Sequence, residues 1–268
     1  MLIADRNGFL VGGKLSAKSY EGSIVVQWDG IENVAYGQHN ATSTKWVDLI
    51  GGEELTFSDF TKVEWTLNSI KSLGSGSYTL HEFSSSLWTT IKSAIRQCRF
   101  AIEYVWYANA SFFSTAASSG YSGVLPIVVG GAGNVGVVPY FTKWNNGGWA
   151  SNPFNAGYGY YWTPFTAFTP ATTSYYSQTY VIDSLVNASI IHVLHYINGV
   201  EVGNSDIPNI GYAPAGDWSN AVQNNQMRLF PFQANGIEVC AIRIHDQIPT
   251  ADEIAANYAV DKSRFNLP

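Results

Sequence analysis

One dipeptide constrains this chain more than any other feature. Within residues 190–202, Ile-Ile-His-Val-Leu-His-Tyr-Ile-Asn-Gly-Val-Glu-Val, two β-branched apolar runs flank Asn198-Gly199. A two-residue type I′ turn needs positive φ at both central positions, and Asn and Gly adopt that backbone at the least cost. The spacing predicts a hairpin pairing residues 190–197 with 200–202. Side chains alternate along a strand, so Ile191, Val193, His195 and Ile197 share one face, and Ile190, His192, Leu194 and Tyr196 the other. Neither face is fully polar, which predicts an inner strand covered on both sides.

The rest of the chain reads as strands and loops laid around that hairpin. Strands are expected over residues 23–28, 62–67, 77–83, 180–183, 228–230 and 237–245, with a short helix where Leu87, Ile91 and Ile95 fall at helical spacing. Residues 98–108 alternate, placing Phe100, Ile102, Tyr104 and Trp106 on one face. Near the C-terminus, Thr250 and Glu253 form a capping box that opens a helix, with Ile254 and Tyr258 on its packing face. Residues 1–22 have weak periodicity and read as an N-terminal arm or linker; residues 23–268 read as one domain, with an aromatic-rich loop region about 109–180.

Several motifs resemble laminin-G-like, concanavalin A-like domains of phage or prophage structural proteins and gut bacterial surface proteins. The resemblance rests on Trp28, Asp29, Gly30, Ile31 and Asn33, then Gly37 and His39, then Trp46, Asp48, Leu49 and Gly51. It extends to Arg99-Phe-Ala-Ile-Glu103, to the Tyr-x-Asn-Gly hairpin and to the closing run 251–268. It implies an all-β, jelly-roll antiparallel β-sandwich with a short C-terminal helix. It also implies calcium as a candidate ligand at the sandwich rim through carboxylates such as Asp29 and Asp48. Read as residues alone, both aspartates are turn caps, and no cofactor is required.

Composition excludes some partners. The formal net charge is −6, charged residues make up 13% of the chain, and no Lys/Arg cluster offers a phosphate-binding surface, so nucleic acid is not expected. The uncharged stretches are broken by Ser, Gly, Asn and Pro, so no membrane insertion is expected. Residues 1–6 lack the pattern of a signal peptide, which favours assembly in a cytoplasm over secretion. Cys98 and Cys240 are the only cysteines, read as two buried thiols with a disulfide as the alternative.

Geometry decides what the catalytic motifs can do. Gly131-Ala-Gly133-Asn-Val-Gly136 matches the dinucleotide fingerprint as text, but a strand-like run with Pro139 follows where a helix is needed. His192 and His195, three apart on a strand, point to opposite faces and share no ion. No Glu-x-Asp-x-x-Glu motif of a concanavalin A-like glycosidase occurs; Glu103 and Glu238 are the two strand carboxylates that a fold could oppose. On these grounds the chain is expected not to be an enzyme.

The functional expectation centres on residues 140–168, which hold eleven aromatics inside a stretch, 104–182, that has no acidic residue. Flat aromatic faces stack on sugar rings, and Asn side chains bond hydroxyls. Trp144, Asn145, Asn146, Trp149, Tyr158, Tyr161 and Trp162 supply that mixture and are the candidate ligand-binding residues. The expected partner is a glycan or cell-surface polysaccharide. The same aromatics suit contacts with other virion subunits, either as a homo-oligomer or against a capsid or tail protein. The expected role is a recognition or structural module on a phage particle, as a fibre, tail or decoration protein. The alternatives are a bacterial cell-surface carbohydrate-binding or adhesin module, and a glycoside hydrolase of the same fold.

Overall fold

The computed structural model describes residues 10–11, 14–57, 59–73, 79–96, 99–108, 127–129, 136–143, 149–155, 163–164, 174–187, 190–208, 226–229 and 237–268. These form an antiparallel β-sandwich with a C-terminal helix. One eight-stranded sheet runs, in spatial order, β16 (Val200–Pro208), β15 (Ile190–Ile197), β14 (Ser174–Asn187), β9 (Arg99–Ala108), β18 (Ile237–His245), β7 (Ile70–Ser72) and β6 (Val63–Trp65), with β3 (Ile24–Asp29) also on β18. A six-stranded sheet runs β13 (Thr163–Pro164), β12 (Trp149–Asn155), β11 (Gly136–Lys143), β10 (Ile127–Val129), β17 (Gln226–Leu229) and β8 (Thr79–Glu82). Two short ribbons, β1 (Leu10–Val11) with β2 (Lys14–Leu15) and β4 (Lys45–Val47) with β5 (Glu54–Thr56), complete the strands. Helix α1 spans Ser85–Arg96 and helix α2 spans Ala251–Phe265.

The expected hairpin is present. Ile197 pairs with Val200, and Asn198 and Gly199 have φ of 52° and 74°. The second strand runs on to Pro208, beyond the pairing read from sequence. Along β15 one face is buried throughout, at Ile191, Val193, His195 and Ile197. The other face is only half-covered, because α2 reaches Tyr196 and Leu194 while Ile190 and His192 stay partly open.

Strand β18 organises the larger sheet, pairing with β9 along one edge and with β7 and β3 end to end along the other. The hand-over falls at a bulge between Val239 and Ala241. There the Gly30 N–H donates to the Cys240 carbonyl at 2.7 Å. Gly30 tolerates no side chain: a β-carbon on it would sit 2.4 Å from the Asn68 carbonyl oxygen, where the β6–β7 turn abuts the end of β3. The bulge also puts Cys240 and Ala241 together on the outer face, against Phe265 and Leu267. Cys240 is a free, buried thiol; Cys98 lies outside the described residues.

The inner face of this sheet is apolar and aromatic. Phe100, Ile102, Tyr104 and Trp106 of β9 all point there, as their alternation predicts. Helix α1 packs onto them with Leu87, Ile91 and Ile95. An aromatic cluster fills one end, with Trp46 edge-on to Trp65 at 5.4 Å and Trp28 stacked on Phe83 at 6.1 Å. Gly136–Lys143 is a strand antiparallel to β10, so the residue that ends the glycine fingerprint opens a strand rather than a helix. No helix among the described residues is long and apolar enough to cross a membrane.

Candidate functional site

The motif residues that carry the sequence resemblance prove to be a mutually bonded turn assembly. Asp48 accepts from the backbone N–H of Gln27 at 2.7 Å, Ile50 at 3.2 Å and Gly51 at 2.9 Å. Asp29 accepts from Ile31 at 2.9 Å and Glu32 at 3.0 Å. The Trp46 indole donates to the Asp29 carbonyl at 3.0 Å, and His39 Nδ1 lies 3.0 Å from the Gly30 carbonyl. The carboxylates read as rim candidates are thus engaged by backbone N–H groups and, for Asp29, by Arg264 Nη2 at 2.7 Å. No group of three or more His, Cys, Asp or Glu that could hold a metal occurs among the described residues.

Two buried polar constellations sit on opposite faces of the large sheet. On the outer face, Arg243 Nε donates to Glu103 at 2.7 Å, and its two terminal nitrogens donate to Asp261 of α2 at 3.0 and 2.7 Å. Arg264 bonds Glu32 and Asp29, each at 2.7 Å. Tyr20 lies flat on the Arg243 guanidinium, 3.8 Å from ring centre to Cζ, and donates its hydroxyl to Asp261 at 2.8 Å. Burial alone would raise the Glu103 pKa, but Arg243 and the neighbouring His245 outweigh it and hold the carboxyl at about 2. Burial raises the Asp29 carboxyl despite Arg264. One signal for this network was legible in sequence: an Arg inside the apolar run of β18 must be buried, and a buried Arg requires acids.

On the inner face, cross-strand register sets Trp106 opposite Tyr176, Tyr104 opposite Gln178, and Tyr180 opposite His195. Trp106 Nε1 donates to Gln178 Oε1 at 2.9 Å; the Gln178 amide nitrogen lies 2.8 Å from both the Tyr180 hydroxyl and His195 Nε2. The His195 ring stacks on Tyr180 at 4.3 Å and 10°. Burial pushes the His195 pKa down to about 3, so its neutral Nε2 accepts from the amide. His192 points the other way, as expected, its Nδ1 2.7 Å from Asp206. Gln178 gave no sequence signal, because two of its partners, Trp106 and His195, lie on other strands.

Glu103 and Glu238 are not opposed. They sit on neighbouring strands with Glu103 facing Arg243 and Glu238 facing Tyr107, about four residues apart, or ~13 Å along the strands. Glu238 accepts from Ser69 Oγ at 2.6 Å.

Of the sequence-based ligand candidates, Trp149 opens β12 and pairs with Lys143, the residue before Trp144. Thr163, the residue after Trp162, pairs with Ser151, two places along β12 from Trp149. Register therefore sets the residue before Trp144 beside Trp149 at one end of the six-stranded sheet, with Thr163 two places in from that end on the far side of β12. Trp144, Asn145, Asn146, Tyr158, Tyr161 and Trp162 themselves lie outside the described residues.

No protein-family model and no curated protein matches the chain. Among solved structures, a Trypanosoma rangeli sialidase in complex with sialic acid superposes with a TM-score of 0.57 at 13% identity, over 96% of this chain and 35% of the sialidase. The binding domain of botulinum neurotoxin DC in complex with rat synaptotagmin II superposes with a TM-score of 0.57 at 13% identity, over 88% of this chain and 51% of that one. A structure of botulinum neurotoxin type C, whose cell entry depends upon interaction with two ganglioside molecules, gives 0.56 at 13% identity, over 88% and 51%. The fold is a concanavalin A-like jelly roll. The chain spans about a third of the sialidase and half of each toxin chain. This likeness corrects the sequence-based expectation that the chain is not an enzyme. The superposed third belongs to a sialidase, so the missing Glu-x-Asp-x-x-Glu motif removes one glycosidase chemistry and not catalysis as such.

Proposed function

We propose that this chain is a carbohydrate-recognition module whose ligand meets the end of the six-stranded sheet where β11 passes into β12. The observation that supports the reading is the register that sets Lys143, the residue before Trp144, opposite Trp149 at that end. Asn145 and Asn146 follow Trp144 in the same connection and supply hydroxyl-bonding amides beside stacking surfaces. The stretch around them has no carboxylate, which suits a neutral or anionic glycan. The fold supports the reading by likeness to a sialidase solved with sialic acid and to a ganglioside-dependent toxin. The finer setting, a module exposed on a phage or prophage particle, rests on the motif resemblance.

A glycan array carrying neutral and sialylated oligosaccharides tests the proposal, with release of free sugar followed in parallel to separate binding from cleavage. Trp144→Ala and Trp149→Ala are expected to lower glycan affinity at least tenfold with an unchanged melting temperature. Folded protein that binds no glycan, or a double variant that binds as the parent does, overturns it.

A further inference from the structure

We propose that residues 16–22, helix α2 and the Asn198–Gly199 turn form one clasp that opens and closes as a unit, so that docking of the N-terminal segment sets the order of the β15–β16 hairpin. The inference is independent of the glycan reading. Read from sequence as the end of an arm, residues 16–22 instead lie packed against the sandwich, with Ser16 and Ala17 buried.

Their bonds fall on groups of the outer ionic network and the strand beside it. The Ala17 N–H donates to Glu32 at 2.8 Å, and Gln27 Nε2 donates to the Ala17 carbonyl at 2.8 Å. The Glu21 N–H donates to Asn257 Oδ1 at 2.7 Å, and Asn257 Nδ2 donates back to the Glu21 carbonyl at 3.2 Å. Tyr20 covers the Arg243 guanidinium and bonds Asp261. Helix α2 in turn makes its main polar contacts through these same groups: Asn257 to Glu103, Asp261 to Arg243, and Arg264 to Glu32 and Asp29. A desolvated ion network holds only while it is fully paired. Undocking the segment would open the network to water and loosen α2 from the sheet.

From Asp261 the contacts continue to the hairpin. Ser177 Oγ donates to Asp261 Oδ2 at 2.8 Å. The Ser177 backbone brackets Asn198, accepting from its N–H at 2.7 Å and donating to its Oδ1 at 3.1 Å. Tyr258 of α2 lies against Gly199. The turn is thus held from α2 by Tyr258 directly and by Asp261 through the Ser177 hydroxyl.

Hydrogen exchange of the intact 268-residue chain, read by mass spectrometry, tests the clasp. Tyr20→Ala is expected to speed exchange about tenfold in residues 251–265 and 196–202 while α1 keeps its protection. Tyr20→Phe keeps the ring on Arg243 and loses the bond to Asp261, so it should give a smaller rise in the same two regions. Where Tyr20→Ala fails to fold, Tyr20→Phe carries the test. Exchange that rises only in residues 14–22, rises equally in α1, or does not rise at all overturns the proposal.

Discussion

A β-carbon added to Gly199 would stand 3.0 Å from Cδ1 of Tyr258 and 3.1 Å from its Cβ. The turn glycine therefore answers two demands: a φ of +74° and the approach of a helix side chain. Gly199→Val should lower stability by about 2 kcal/mol, the cost of a left-handed β-branched residue with repacking of Tyr258 added. Urea unfolding checks it. Adding Tyr258→Ala should recover the packing part and leave the backbone strain, so that the two substitutions are less than additive.

Arg243 neutralises Glu103 and Asp261 from the centre of the outer face. Arg243→Met would leave both carboxylates buried beside Tyr20, with His245, 3.4 Å from Glu103, as the basic group remaining on that strand. A loss of about 3–5 kcal/mol is expected, the usual cost of breaking a buried pair from one side. Equilibrium denaturation should show it as a lower midpoint, and an unchanged midpoint would sink the reading that this network is fully desolvated.

Thr250 Oγ1 accepts from the Glu253 N–H at 3.2 Å, while Glu253 accepts from the Thr250 N–H at 2.7 Å. Thr250→Ala removes one half of this capping box and should cost about 0.5–2 kcal/mol, whereas Thr250→Ser should stay near the parent. Thermal melts of the three proteins compare them directly.

Two buried groups set the acid limit. The His195 pKa is depressed to about 3 in the folded chain, so the unfolded chain binds the extra proton below its ordinary value of about 6.5, and stability falls as pH drops from there toward 3. Glu103 is depressed to about 2 from 4.5, so its contribution is present above 4.5 and is lost as pH falls through that window. Asp29 has the opposite sign, its raised carboxyl gaining a proton on folding, and offsets part of the second loss. Unfolding midpoints should hold level between about pH 7 and 8 and begin to fall near 6.5, at up to ~1.4 kcal/mol per pH unit for one fully titrating group. His195→Gln should remove the portion between about 6.5 and 4.5 and keep the later one.

The elements that local chemistry specifies were legible. The Asn-Gly turn, the capping box, the alternation of Phe100 to Trp106 and the helical spacing of Leu87, Ile91 and Ile95 each rest on neighbours within a few residues, and each stands where it was read. Residues 140–168 were read as loops and short strands; β11 to Lys143, β12 and β13 run through them as half of the second sheet. Gly, Asn and Pro hide such strands, because pairing with an adjacent strand compensates for weak intrinsic preference.

By itself the sequence determined the strands, turns and caps, since these depend on backbone geometry and side-chain period, while the jelly-roll class followed from motif resemblance. Only the tertiary structure decided what the polar residues do. Arg243 meets Asp261 because β18 and α2 are packed face to face, Gln178 meets Trp106 and His195 because three strands share one register, and Tyr20 lies on Arg243 because residues 16–22 fold back over the last helix. Each of these contacts joins residues whose separation along the chain carries no trace of their separation in space. The desolvation that gives them their strength exists only after the core has closed around them.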